Sequence, residues 1–178
     1  MQIRTKKVKG IRIWLAVVAT FILIAALLTA CSGGNGGDSD TGSAEGNANQ
    51  AQTIKQGESL VISKGDISET AQFYPITVDG TRMEVLAVKA PDGSIRTAFN
   101  TCQVCNGSPK AYFVQSGNTL QCQNCGNKFP MDMVQVEAGG CNPVPIFDED
   151  KTVAEETITI SYDTLKANVK LFPSNWKQ

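Results

Sequence analysis

Of six cysteines in the 178 residues, five fall between Cys102 and Cys141. Cys102 and Cys105 form one CxxC pair and Cys122 and Cys125 a second, giving C-x2-C-x16-C-x2-C. Each pair presents two sulfurs toward one point from a tight knuckle, and two knuckles close a tetrahedron around one ion or hold a small iron–sulfur cluster. The fifth cysteine, Cys141, stands in Gly139-Gly140-Cys141-Asn142-Pro143, a rigid loop suited to covering such a site. Its role stays open between an additional or alternative ligand, a free thiol and a small buried residue.

There is no histidine anywhere in the chain. That removes Ser-His and Cys-His nucleophilic systems, His-ligated haem and mixed His/Cys zinc sites. A metal here is held by sulfur, and thiolate-rich sites select zinc, Cu(I) or iron–sulfur clusters. Three chemistries compete: a closed four-cysteine zinc site that stabilises a small domain, an iron–sulfur cluster that carries electrons, and thiol–disulfide exchange. Against the third, a redox CxxC opens a helix in a βαβ unit, whereas these pairs sit between strands. No phosphate-binding loop and no nucleophile paired with a base is found. An electron carrier or metal-binding protein is therefore expected rather than an enzyme.

The elements that must position the cysteines are β-like. Leu60-Val61-Ile62 precedes a turn, Ile76 and Val78 lead into Asp79-Gly80, and Met83, Val85 and Ala87 alternate toward Pro91-Asp92-Gly93. Ile95, Thr97 and Phe99 run into the first knuckle. Ala111–Val114 and Thr119–Gln121 flank Ser116-Gly117-Asn118 as a hairpin between the knuckles, and Phe129 is expected to pack against the second. Thr157–Tyr162 reads as a further strand and Asp163–Val169 as a short helix capped by Asp163, with Pro173 beyond it. Met131 and Met133 read as strand neighbours on one face, and Asp148-Glu149-Asp150 as a solvated loop. The fold class is mainly β: a small antiparallel domain, Rieske-like or zinc-ribbon-like, with two CxxC knuckles.

The N-terminal third is organised differently. Arg4, Lys6, Lys7, Lys9 and Arg12 are its only charges before Cys31, and Ile11 to Ala30 is otherwise apolar. The chain then reads Leu28-Thr29-Ala30-Cys31, similar to the lipobox of bacterial lipoproteins, in which the cysteine is lipidated. An uncleaved membrane-spanning helix is the alternative. Either way the basic end stays in the cytoplasm and the rest lies outside. Three regions are expected: 1–31 as signal peptide and anchor, 32–57 as a flexible Gly/Ser/Asn-rich linker, and 58–178 as the extracytoplasmic metal-binding domain. From Cys31 onward 11 Lys and Arg face 17 Asp and Glu, which disfavours a nucleic-acid partner.

Two family resemblances follow from these stretches. "DGSIRTAFNTC", a hairpin, "GNKF" and "GGCNPVPI" follow the element order of a Rieske domain. The departure is that Cys105 and Cys125 stand where Rieske proteins carry histidines, and the first pair is separated by two residues instead of one. All-thiolate ligation implies a lower potential than a Rieske centre. The stretches "RTAFNTCQVCNGSPKAYF", "LQCQNCGNKFPMD" and "GGCNPVPI" also resemble the membrane iron-sulfur-containing, FtrD-like family, from roughly Ile62 to the end. That resemblance implies a membrane-bound, extracytoplasmic iron–sulfur protein, with Zn2+ as the alternative cofactor. It implies an iron permease or a redox protein as partner. It also implies Cys102, Cys105, Cys122 and Cys125 as ligands, with Cys141 as a family feature of unassigned role.

Overall fold

The structure, a computed structural model, describes residues 50–178. The leader, the lipobox with Cys31 and the linker through residue 49 lie outside the described residues. No helix among the described residues is long and apolar enough to cross a membrane.

Among the described residues, eleven short strands carry the domain: β1 (Gln52–Ile54), β2 (Ser59–Ser63), β3 (Gln72–Val78), β4 (Thr81–Lys89), β5 (Ile95–Cys102), β6 (Phe113–Ser116), β7 (Thr119–Cys122), β8 (Lys128–Pro130), β9 (Pro143–Pro145), β10 (Thr152–Val153) and β11 (Thr157–Ser161). One α-helix, α1 (Tyr162–Ala167), follows β11. The mainly β expectation holds. The strands form a five-stranded sheet in the order β1-β3-β4-β5-β9, a three-stranded sheet β10-β11-β2, and a three-stranded sheet β6-β7-β8 that carries the second knuckle.

Strand β4 explains how these layers meet. Six consecutive residues, Met83 to Val88, are buried, so both faces of the strand are covered. Side chains alternate across a strand, and they sort into two cores. Met83, Val85 and Ala87 join Phe99 of β5 on one face, packed on Leu60 and Ile62 of β2, Ile158 and Ile160 of β11, and Leu165 of α1. Leu86 and Val88 join Ala98 and Cys102 on the other, packed on Phe113, Leu120, Cys122 and Phe129 of the small sheet. Burying each such large apolar side chain contributes about 1.5–3 kcal/mol. Two knuckle cysteines are therefore core residues as well as sulfur donors, and Phe129 packs beside them as expected.

Three local details differ from the sequence reading. Strand β1 lies inside the segment 32–57 read as linker, and pairs in parallel with β3, Ile54 opposite Val78. Ile54 is 1% exposed, so this end of the segment belongs to the fold. Helix α1 is capped by Ser161, not Asp163: Ser161 is extended and its hydroxyl accepts from the Thr164 amide at 3.1 Å. Asp163 falls in the first turn, where its charge suits the helix dipole. Met131 to Met133 forms a 3-10 turn, with Met131 buried and Met133 partly buried against the sulfur-side core.

A buried cation locks the long segment between β8 and β10. The Lys151 side chain is 1% exposed and donates to Thr97 Oγ1 at 3.0 Å, Gln135 Oε1 at 2.6 Å and the Ile146 carbonyl at 3.3 Å. Asp148 pairs with it at 3.2 Å, which gives one member of the acidic run a fixed partner. Burial holds the Lys151 pKa below the ordinary lysine value.

Candidate metal centre

Three segments bring their sulfurs together: the end of β5, the turn after β7, and the loop before β9. Strand β5 reaches the site through a bulge. Phe99 pairs with Val144 and Cys102 with Pro143, so Asn100 and Thr101 are extra in the ladder. The bulge bends the strand end toward the small sheet. Asn100 completes the join there: its amide nitrogen donates to the Phe113 carbonyl at 3.1 Å and its oxygen accepts from the Phe113 N–H at 2.8 Å. One side chain thus pairs both backbone groups of a strand residue in the other sheet.

The knuckles are shaped by backbone hydrogen bonds. In the first, Ser108 N–H donates to the Cys105 carbonyl at 3.1 Å, and Cys102 N–H to the Ala111 carbonyl at 3.0 Å. In the second, Gly126 N–H donates to the Cys122 carbonyl at 2.9 Å with Gly126 at φ +75°, a conformation that favours glycine. The Ser108 hydroxyl donates to Asn124 Oδ1 at 2.7 Å, tying one knuckle to the other. The C-terminal segment buttresses both. Trp176 packs edge-on to Tyr112 at 6.1 Å, and the Tyr112 carbonyl accepts from the Gln123 N–H at 2.8 Å. Lys177 N–H donates to the Pro109 carbonyl at 2.8 Å, while its ammonium pairs with Glu84 at 2.7 Å.

The third segment is held by a small polar knot. Asn142, 1% exposed, donates to Gln103 Oε1 at 3.1 Å, the Glu137 carbonyl at 3.2 Å and the Pro143 carbonyl at 2.9 Å. Its own oxygen accepts from the Gly140 N–H at 2.8 Å. Gln103 answers from inside the first knuckle, its N–H donating to the Asn142 carbonyl at 2.9 Å and its Oε1 accepting from Gly139 N–H at 2.8 Å. Cys141 is therefore fixed from both sides.

The result is a gathering of five free thiols. The sulfurs of Cys102, Cys105, Cys122 and Cys141 all lie within 4.8 Å of one another. Cys141 Sγ is 3.3 Å from Cys102 Sγ and 3.0 Å from Cys125 Sγ. Cys102 and Cys122 are fully buried, Cys105 and Cys141 partly, and Cys125 is exposed. The sequence spacing marked the two knuckles and left the role of Cys141 open; the structure brings Cys141 in among their sulfurs. What the spacing did not reveal is that Cys141 enters the tight quartet while Cys125 lies at its margin. The Gly-Gly before Cys141 and the Asn-Pro after it were the only signals of a built loop.

Electrostatics at the five thiols are uneven. Burial pushes the Cys122 thiol up to about 12, against the pull of the Cys125 and Asn124 backbone N–H groups. Burial likewise raises Cys105 and Cys141. Cys125 is drawn down to about 7, first by the hydrogen bond that Cys141 donates and then by the Asn127 backbone N–H. The segments around the site, 102–109, 119–127 and 138–147, contain no Lys, Arg, Asp or Glu.

A group of soft sulfur donors converging from three loops, two of them rooted in the core, fits a thiophilic metal and suits neither a hard cation nor acid–base catalysis. Fold and site together define a metal-binding β domain with a group of four cysteines placed to hold the metal. Residues 67–172, more than half of the chain, match the family model described as membrane iron-sulfur containing protein FtrD-like, and the chain belongs to that family. Its cofactor is accordingly an iron–sulfur group, and the sulfur donors present fit one. No curated protein matches the chain. Among solved structures, the crystal structure of the quaternary ammonium Rieske monooxygenase CntA, in complex with an inhibitor, is similar. The likeness covers 63% of this chain at 13% identity and a TM-score of 0.40, and this chain spans 33% of that one.

Proposed function

We propose that this protein is an electron-transfer accessory of an iron uptake system, working on the outer face of the cell membrane. The observation that carries the reading is the convergence of cysteine sulfurs within 4.8 Å at the meeting of three loops. Membership of a membrane iron–sulfur family supports it. When bound, the cluster supplies one-electron chemistry. The chain's own residues would do the rest: Cys102 and Cys122 would anchor the group in the core, partly buried Cys105 and Cys141 would close it from the loops, and the Gln103–Asn142 knot holds the covering loop. Protein purified without oxygen is expected to be brown, with sulfur-to-iron absorption in the visible range and iron matched by acid-labile sulfide. Colourless protein with one equivalent of zinc would overturn the reading.

That second outcome has an observation of its own. Ligand sulfurs on one tetrahedral zinc lie about 3.8 Å apart, given Zn–S of about 2.3 Å. A quartet spanning 4.8 Å is close to that spacing. On this reading the ion is structural and the domain is an interaction module.

The placement at the membrane rests on the sequence of the leader. On this reading residues 1–31 comprise signal peptide and anchor, Cys31 carrying the lipid at the mature N-terminus, and the linker tethers the domain. An iron permease or a redox protein in the same membrane is the partner. Cys31→Ser is expected to slow migration on a denaturing gel by the uncleaved leader and to abolish incorporation of labelled fatty acid. Unchanged incorporation would remove the anchor from the proposal.

A further inference from the structure

The five sulfurs are one more than a four-thiolate site uses, and their geometry sorts them. The two CxxC pairs alone would make Cys125 the fourth ligand. In the structure the mutually close set is Cys102, Cys105, Cys122 and Cys141. Cys125 is outside that set and is exposed; it lies 3.0 Å from Cys141 and also beside Cys105 and Cys122, at the solvent edge of the quartet. The supporting structure follows the same division. Asn142, buried next to Cys141, makes hydrogen bonds to Gln103, Glu137, Gly140 and Pro143, so the loop is built to hold its cysteine in one place. Gln103 belongs to the first knuckle, which means that the knuckle and the Cys141 loop are positioned as one unit. A polar network of this kind is costly to bury unless every member is paired, and this one is spent on Cys141.

We infer that Cys141 supplies the fourth sulfur of the metal site, and that Cys125 is a free, solvent-facing thiol in contact with it. The inference rests on the metal-centre reading above and narrows it to one ligand set. It makes Cys125 the one domain cysteine that reacts with an electrophile while the metal stays bound.

The test uses the full chain as purified with its metal. Brief iodoacetamide treatment and peptide mass spectrometry should find Cys125 modified, Cys102, Cys105, Cys122 and Cys141 protected, and metal content unchanged. Modification of Cys141 with protection of Cys125, or protection of all five, would overturn the assignment and leave the metal centre standing. Rapid modification of all five in protein that carries no metal would instead overturn the metal reading itself. Variants give a second readout. Cys125→Ser should retain the wild-type metal stoichiometry and visible spectrum. Cys141→Ser should lose metal affinity by more than about 100-fold, the upper end for a residue that merely supports a ligand. The reverse pattern would assign Cys125 as the ligand. If Cys141→Ser does not fold, alkylation of the wild-type protein still decides.

Discussion

Replacing Cys122 is expected to strip the metal from the protein and to remove the stability that the metal confers. Cys122 has no exposed surface and sits among Phe113, Leu120 and Phe129, so it serves both the site and the core. The two roles separate with two variants. Cys122→Ala removes the sulfur and keeps an apolar atom in the core. Cys122→Ser removes the sulfur and buries a hydroxyl, which costs about 1–3 kcal/mol more if it finds no partner. Both should be colourless and metal-free, with the alanine variant the more stable when compared as metal-free proteins. In the wild type a chelator should lower the urea midpoint markedly, because a ligand at 1,000 times its Kd stabilises by about 4.1 kcal/mol. In either variant the same chelator should have no effect. A Cys122→Ala protein that keeps its metal and its chelator response would contradict the site.

Asn100→Leu is expected to be the most destabilising substitution away from the sulfurs, by about 3–5 kcal/mol. Its amide pairs the Phe113 N–H and carbonyl and donates to Glu84 Oε1 at 2.7 Å, all in the interior. Each buried group left without a partner costs about 1–3 kcal/mol, and three are affected. Glu84 keeps Lys177 as a partner, which limits its share. The effect should also reach the site. The small sheet carrying Cys122 and Cys125 is joined to β5 at this residue, so thiols of the metal-free variant should alkylate faster than those of metal-free wild type. Urea denaturation and alkylation rates measure the two effects. A loss below about 1 kcal/mol would mean that Asn100 does not join the sheets.

How much of this was legible beforehand depends on the range of the interactions involved. The alternation of Met83, Val85 and Ala87 and the turns at Asp79-Gly80 and Ser116-Gly117-Asn118 are local signals, and the strands they imply are present. The cysteine spacing is also local, and it located the site. Strand β1 was hidden because Gln52–Ile54 offers a single buried side chain at the end of a polar segment. Its stability comes from pairing with β3, more than twenty positions away. Asn100 looked like one polar residue in a strand, because its partners Glu84 and Phe113 lie 16 and 13 positions off. Lys177 and Trp176 gave no signal for the same reason. The division of labour between Cys125 and Cys141 depends on where two loops end in space, which no spacing rule encodes.

The absence of ionisable side chains other than cysteine from the three loops has a consequence for the charge of the centre. Thiolates gathered at one point carry several negative charges, and these loops offer no lysine or arginine to balance them. The compensation must come from the metal itself and from backbone N–H groups such as those of Asn124, Cys125 and Asn127. Net charge and hydrogen bonds to sulfur are among the factors that set a cluster's potential. A centre this negative resists taking up a further electron, which places it among strong donors.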